Sequence, residues 1–175
     1  MLFLIALVVG YGATWLIPPR SRWTPQKRWR YALAAGMFVF GALHLITPTP
    51  FLQHIPRWAP AREALVIASG LIEIAFGIAL VLRTTFRQWI GYALAAYLVA
   101  VFPGNIYVAV AGIDVAGQPD GAYPWIRLAF QPLFIWLAVW TTRPTGSSQA
   151  GTGHPSVVSV RERDAHEPER GAGVH

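Results

Sequence analysis

Five polar side chains stand inside otherwise apolar runs, and they are the residues whose types could do chemistry: His44, Glu73, Asn105, Arg127 and Gln131. Glu73 is the most informative. It sits in Ala64–Leu82, ALVIASGLIEIAFGIALVL, nineteen residues in which the only other polar side chain is Ser69. As a helix that stretch is about 28 Å long, roughly the thickness of a bilayer's hydrocarbon core. An unpaired charge near the midplane costs at least about 2.5 kcal/mol, so Glu73 is expected to be neutral or to have a partner. A positioned carboxyl group of this kind suits proton transfer or the recognition of a polar head group.

Arg127 is the expected partner. It shares a helix face with Gln131, four residues on, and its long stem reaches about 6 Å inward. Gly70, Glu73 and Gly77 share one side of their own helix, and small residues mark the packed side of a membrane helix. A Glu73–Arg127 ion pair, direct or through water, would offset two desolvation costs that neither charge could bear alone. Asn105 follows Pro103-Gly104. Pro103 offers no amide proton to the carbonyl of Val99, which predicts a bent or unwound segment lining protein or a wet cavity. Counted from the span ends, all five residues fall in one half of the bilayer.

Each has a plainer reading beside the functional one. His44 also fits an interfacial hydrogen-bonding residue, Glu73 with Arg127 a structural clamp, and Asn105 with Gln131 interhelical glue. Tyr and Trp at span ends read as interfacial anchors. No metal site is expected, because His44 and Glu73 lack third and fourth ligands. Paired-histidine haem ligation is disfavoured, His44 being the only histidine within a span.

The elements that carry these residues follow from composition. Hydrophobic residues make up 54% of the 175 and charged ones only 13%, which is too apolar for an ordinary soluble domain. The net charge of +6 comes from basic residues beside apolar runs, which favours lipid head groups over nucleic acid. The absence of cysteine excludes disulfides, thiolate metal sites and thiol redox relays.

Five spans are predicted: Leu2–Ile17, Tyr31–Ile46, Ala64–Leu82, Trp89–Ala111 and Trp125–Thr142. The first lacks the basic start and small-residue cleavage pattern of a signal peptide and is expected to be retained. The loop over 47–62 carries Pro48, Pro50, Pro56 and Pro60. Phe51, Leu52, Ile55 and Trp58 within it suit a short segment lying in the interface. With the N-terminus outside, the inner segments hold eleven Lys and Arg and the outer loops only Arg57 and Arg62. The expectation is an all-α, polytopic transmembrane four-helix bundle plus one additional N-terminal span, N-out and C-in. Residues 1–30 would form the extra span and a basic cytoplasmic loop, 31–142 the membrane domain, and 143–175 a disordered cytoplasmic tail.

One ordered set of motifs is familiar. His44 with Pro48, then Pro56, Gly70-x-x-Glu73, Phe102-Pro103-Gly104-Asn105-Ile106 and Arg127-x-x-x-Gln131 resemble the DoxX-like family of small bacterial integral membrane proteins, over Tyr31 to Thr142. The chain departs from that pattern at Gly104, where Ala is more usual, and in Arg127-Leu-Ala-Phe-Gln131, which lacks the proline commonly seen after Leu. The resemblance implies a four-helix bundle in the bacterial cytoplasmic (inner) membrane. It also implies a link to quinol oxidase, thiosulfate:quinone oxidoreductase or oxidative-stress assemblies, with a quinone as the ligand and redox subunits as partners.

The residues themselves identify no cofactor and no self-contained catalytic motif, and no catalytic residue is assigned. Three functions stay open: a membrane subunit of a quinone-linked system, a carrier or binding protein for a small polar solute, and a non-catalytic scaffold. In the first two, His44, Glu73, Asn105, Arg127 and Gln131 are the candidate ligand-binding residues.

Overall fold

The computed structural model of the protein describes residues 2–16, 23–82, 84–119 and 121–144, and among them helices are the only regular structure. Among these residues there are six: α1 (Leu2–Ala13), α2 (Pro25–Ile46), α3 (Thr49–Leu52), α4 (Arg62–Val81), α5 (Arg87–Val110) and α6 (Tyr123–Thr142). The expected tail lies outside the described residues from 145 onward.

Local chemistry sets where the elements start. Thr24 caps α2 by accepting the amide proton of Lys27 at 3.2 Å, and Pro25 supplies a helix-ready φ in the first turn. The helix therefore begins at Pro25 rather than Tyr31. Lys27, Arg28 and Arg30 of the expected basic loop become its first two turns, and both arginines are buried. Arg28 ties α2 to the end of α1 through Thr14, donating to its carbonyl at 3.1 Å and its hydroxyl at 3.2 Å, while its guanidinium stacks 4.0 Å above Trp15.

α5 also differs from expectation. It runs from Arg87 to Val110 as one helix, straight through Pro103. A proline removes one helical hydrogen bond, but the remaining ladder and tertiary packing carry the helix across it.

Helices α2, α4, α5 and α6 form a closed ring in which each packs on the next: α2 on α4, α4 on α5, α5 on α6, and α6 back on α2. α1 packs against α2 outside the ring. Leu33 and Met37 of α2, Leu80 of α4, Leu94 and Leu98 of α5, and Phe134, Leu137 and Ala138 of α6 fill the centre. Outward, the bundle is apolar as well. Leu71 is 55% exposed, Val99 54% and Val110 71%. An apolar exterior around an apolar core is the pattern of a bundle solvated by lipid.

Three helices, α2, α4 and α5, are long and apolar enough to cross a membrane. α6 has the length at 20 residues but is not among these three. α1, at 12 residues, is shorter than its predicted span.

The α2–α4 contact is the most extensive in the ring. A Cβ on Gly41 would lie 2.6 Å from the carbonyl oxygen of Gly70, and one on Gly70 would lie 2.7 Å from Cβ of His44. Backbone touches backbone here because neither position has a side chain, as at small-residue interfaces of membrane helices. That approach brings His44 onto Glu73.

Candidate functional site

Glu73 points into the bundle. Val66, Gly70, Glu73, Gly77 and Leu80 are the buried residues of α4, spaced alternately four and three apart along one face. Glu73 itself is only 8% exposed. Its Oε1 accepts the hydroxyl proton of Tyr97, on α5, at 3.0 Å. Its Oε2 lies 3.3 Å from Nδ1 of His44, on α2. That nitrogen is already committed, at 2.8 Å, to the carbonyl of Phe40 one turn back. Oε2 is consequently buried with no hydrogen-bond partner. The imidazole of His44 is held on its other side by Phe51 of α3, stacked with ring centroids 3.6 Å apart. One carboxyl group is thus reached from two other helices, with one oxygen hydrogen-bonded and the other without a hydrogen-bond partner.

The expected Glu73–Arg127 ion pair does not form. Arg127 has a different set of partners: it donates through Nη1 to Nε2 of His54 at 2.8 Å and to Oε1 of Gln118 at 3.0 Å, and through Nη2 to Oδ1 of Asn105 at 3.0 Å. The reason is axial. α4 and α6 start at the same end of the ring, and Glu73 lies eleven residues past Arg62 whereas Arg127 lies four past Tyr123. At 1.5 Å per residue those offsets are about 16 Å and about 6 Å, a difference longer than the arginine stem.

His54, in the turn after α3, completes this second cluster. Its Nδ1 donates to the carbonyl of Pro50 at 2.9 Å, which leaves Nε2 as the acceptor for Arg127 and fixes a neutral tautomer. Burial pushes its pKa down to about 4. The Arg127 charge acts in the same direction, as does His44 more weakly. Gln53 fastens the loop by donating to the carbonyl of Asp114 at 3.2 Å and accepting from the amide of Ala116 at 2.8 Å. The two loops at this end are thereby pinned together, and His54 and Gln118 are brought to one guanidinium. Gly104 opens the space, since a Cβ there would lie 3.0 Å from the carbonyl oxygen of His54.

Of the five residues singled out by type, His44 and Glu73 meet in one cluster, and Asn105 and Arg127 in the other. The clusters adjoin through Phe51, whose ring stacks on His44 and whose carbonyl accepts the amide of His54 at 3.1 Å. Gln131 takes the bridging role: its side-chain amide donates to the carbonyl of Leu98 at 2.8 Å and fastens α6 to α5. Tyr97, His54 and Gln118 are additions. Tyr97 lies mid-span rather than at a span end, which is a signal visible in the sequence. His54 and Gln118 come from loops whose closure no local pattern announces. Among the described residues no group of three or more His, Cys, Asp or Glu could hold a metal ion.

Fold and site together define a protein that is all-helical among the described residues, with helices able to cross a membrane and a buried, half-satisfied carboxyl group between them. The chain belongs to the family described as Domain of unknown function (DUF8561), whose model matches residues 33–142 and so spans both clusters. No curated protein and no solved structure matches the chain.

Proposed function

We propose that the protein is a multi-pass subunit of a bacterial inner-membrane redox system, in which Glu73 exchanges a proton with a quinone-class head group held near Arg127. The observation that carries this reading is the open Oε2 of Glu73. A buried acceptor without a donor is costly, and a hydroxyl proton on a ligand or on the carboxyl group itself relieves it. Tyr97 holds the first oxygen and His44 crowds the second, so the carboxyl group is fixed while its buried Oε2 keeps a lone pair uncommitted for a proton.

A quinone fits the residues present. Arg127 is bound only to neutral acceptors among the described residues, and its positive charge favours an electron-rich carbonyl oxygen. When bound, the quinone supplies two-electron, two-proton chemistry, its electrons coming from a partner redox subunit. What this chain contributes is orientation and the proton at Glu73.

The motif resemblance to DoxX-like proteins supports the same reading, and for the orientation we propose N-out and C-in with five spans, the arrangement that would gather eleven Lys and Arg on one side. The carrier alternative leaned on a broken fourth span and loses that support, because α5 is continuous. A scaffold in which the Tyr97–Glu73 bond merely joins α5 to α4 is the second reading.

Native mass spectrometry of the protein extracted with its lipids separates the two. A co-purifying quinone that is lost in Glu73→Gln and in Arg127→Met, with both variants still folded in the membrane, is the expected result. No quinone in the wild type, or equal retention in both variants, refutes the proposal and leaves the scaffold.

A further inference from the structure

Two titratable side chains touch Glu73. Tyr97 donates to Oε1 at 3.0 Å. His44 faces Oε2 with Nδ1 at 3.3 Å, about 0.3 Å longer than an ordinary hydrogen bond between such atoms. Both His44 and Glu73 are buried. Their contact is imposed by the backbones, because α2 and α4 meet at Gly41 and Gly70, where a Cβ on Gly70 would lie 2.7 Å from that of His44. Phe51 stacks on the imidazole from its other side.

Nδ1 of His44 lies between two acceptors, the Phe40 carbonyl at 2.8 Å and Oε2 at 3.3 Å. With its proton on Nδ1 the ring donates to Phe40, and Oε2 stands in the interior without a donor. With that proton on Nε2 instead, Nδ1 becomes an acceptor, and Oε2 of a protonated Glu73 can donate to it. Phe40 loses little in the second arrangement, because its carbonyl still accepts the helical amide of His44 four residues on. The Phe40 carbonyl, the Tyr97 hydroxyl and the Phe51 ring around the pair bring no charge that would pin the proton to one side. His44 also stands two residues before the end of α2, nearer the loops than Glu73 midway along α4.

We infer that His44 is the proton-exchange partner of Glu73. The O–H bond at Oε2 breaks and an N–H bond forms at Nδ1; the electron pair stays on Oε2, which leaves a carboxylate beside an imidazolium. Loss of the Nε2 proton to water then gives the neutral ring with Nδ1 donating to Phe40, and the reverse steps reload Glu73. This rests on reading Glu73 as a group that exchanges protons and is independent of which ligand it serves.

Nitrogen-15 NMR and infrared spectroscopy of the full chain in phosphatidylcholine nanodiscs without quinone test it. The Nδ1 signal of wild-type His44 should lie between its protonated and unprotonated limits. A carboxylic-acid band should be present and vanish in Glu73→Met, a variant that offers the ring neither donor nor acceptor and in which Nδ1 should read as a fixed N–H. Exchange of the acid proton for deuterium should slow about a hundredfold in His44→Phe, which keeps a ring against Phe51 but cannot carry a proton. A wild-type Nδ1 that reads as a fixed N–H, as it does in Glu73→Met, or deuterium exchange as fast in His44→Phe as in wild type, overturns the inference. The wild-type spectra decide alone if a variant fails to fold, since a fully protonated Nδ1 with no acid band is already refuting. With no quinone in the discs, failure here leaves the quinone assignment standing, and a chain that binds no quinone can still show the shared proton.

Discussion

His54 is held neutral between a backbone carbonyl and a guanidinium, and acid should therefore weaken the bundle over a defined interval. In the unfolded chain its imidazole titrates near its ordinary value of 6.5, whereas in the fold it is pushed down to about 4 by burial, then by Arg127 and more weakly by His44, with the Pro50 carbonyl opposing them. Between those values the unfolded chain binds a proton that the native protein does not, so native stability falls as pH falls. The contribution is fully present above about pH 6.5 and gone once pH drops through about 4. The interval corresponds to about 3 kcal/mol, a large fraction of a typical domain's stability.

Unfolding of the protein in detergent, followed by circular dichroism across this range, measures the loss. His54→Gln is the control, because a glutamine can still accept from Arg127 but cannot titrate. The variant should lose most of the slope between pH 6.5 and 4. A wild-type His54 resonance titrating near 6.5, or an unchanged slope in the variant, would refute the account of the cluster.

Three further outcomes follow from the same geometry. Tyr97→Phe strips Glu73 of its remaining hydrogen-bond donor and should cost about 1–3 kcal/mol, measured as a lowered unfolding midpoint. Gly41→Leu drives a side chain into the Gly70 carbonyl, which a Cβ would already approach to 2.6 Å, and should cost about 1–3 kcal/mol while separating α2 from α4 in crosslinking. Double-mutant cycles should find Glu73 and Arg127 additive within about 0.5 kcal/mol, and Glu73 with Tyr97 coupled by more than that; the reverse pattern would restore the direct ion pair.

How much of this was legible in the sequence follows the range of the interactions. The helices were, because apolar length is a local property: Arg62–Val81 differs from the predicted Ala64–Leu82 only at its ends. The inward face of Glu73 was legible too, because Gly70 and Gly77 mark it on the same helix. The partner was not. Pairing depends on how far along neighbouring helices two residues sit, and the predicted starts at Ala64 and Trp125 already set Glu73 and Arg127 about 10 Å apart along the axis; what no local pattern announced was the other set of acceptors that the loops bring to Arg127. The Arg127 cluster was half visible: Asn105 could be placed by depth, but His54 and Gln118 are delivered by two loops that only Gln53 binds together.

The choice of an acid at position 73 bears on function more directly than its burial does. For a structural clamp, Gln would serve better. Its carbonyl would accept the Tyr97 hydroxyl as the carboxylate does, and no charge would be set among apolar helices. A glutamic acid gains over glutamine only where the proton has to leave and return, or where a ligand must sometimes meet a carboxylate and sometimes an acid. The geometry preserves that option by tying Oε1 to Tyr97 while His44, bound to Phe40, leaves Oε2 without a bond. If Glu73→Gln proved more stable than wild type yet lost its ligand, the carboxyl group would be placed for proton exchange at a cost in stability, as expected of a working residue rather than a structural one.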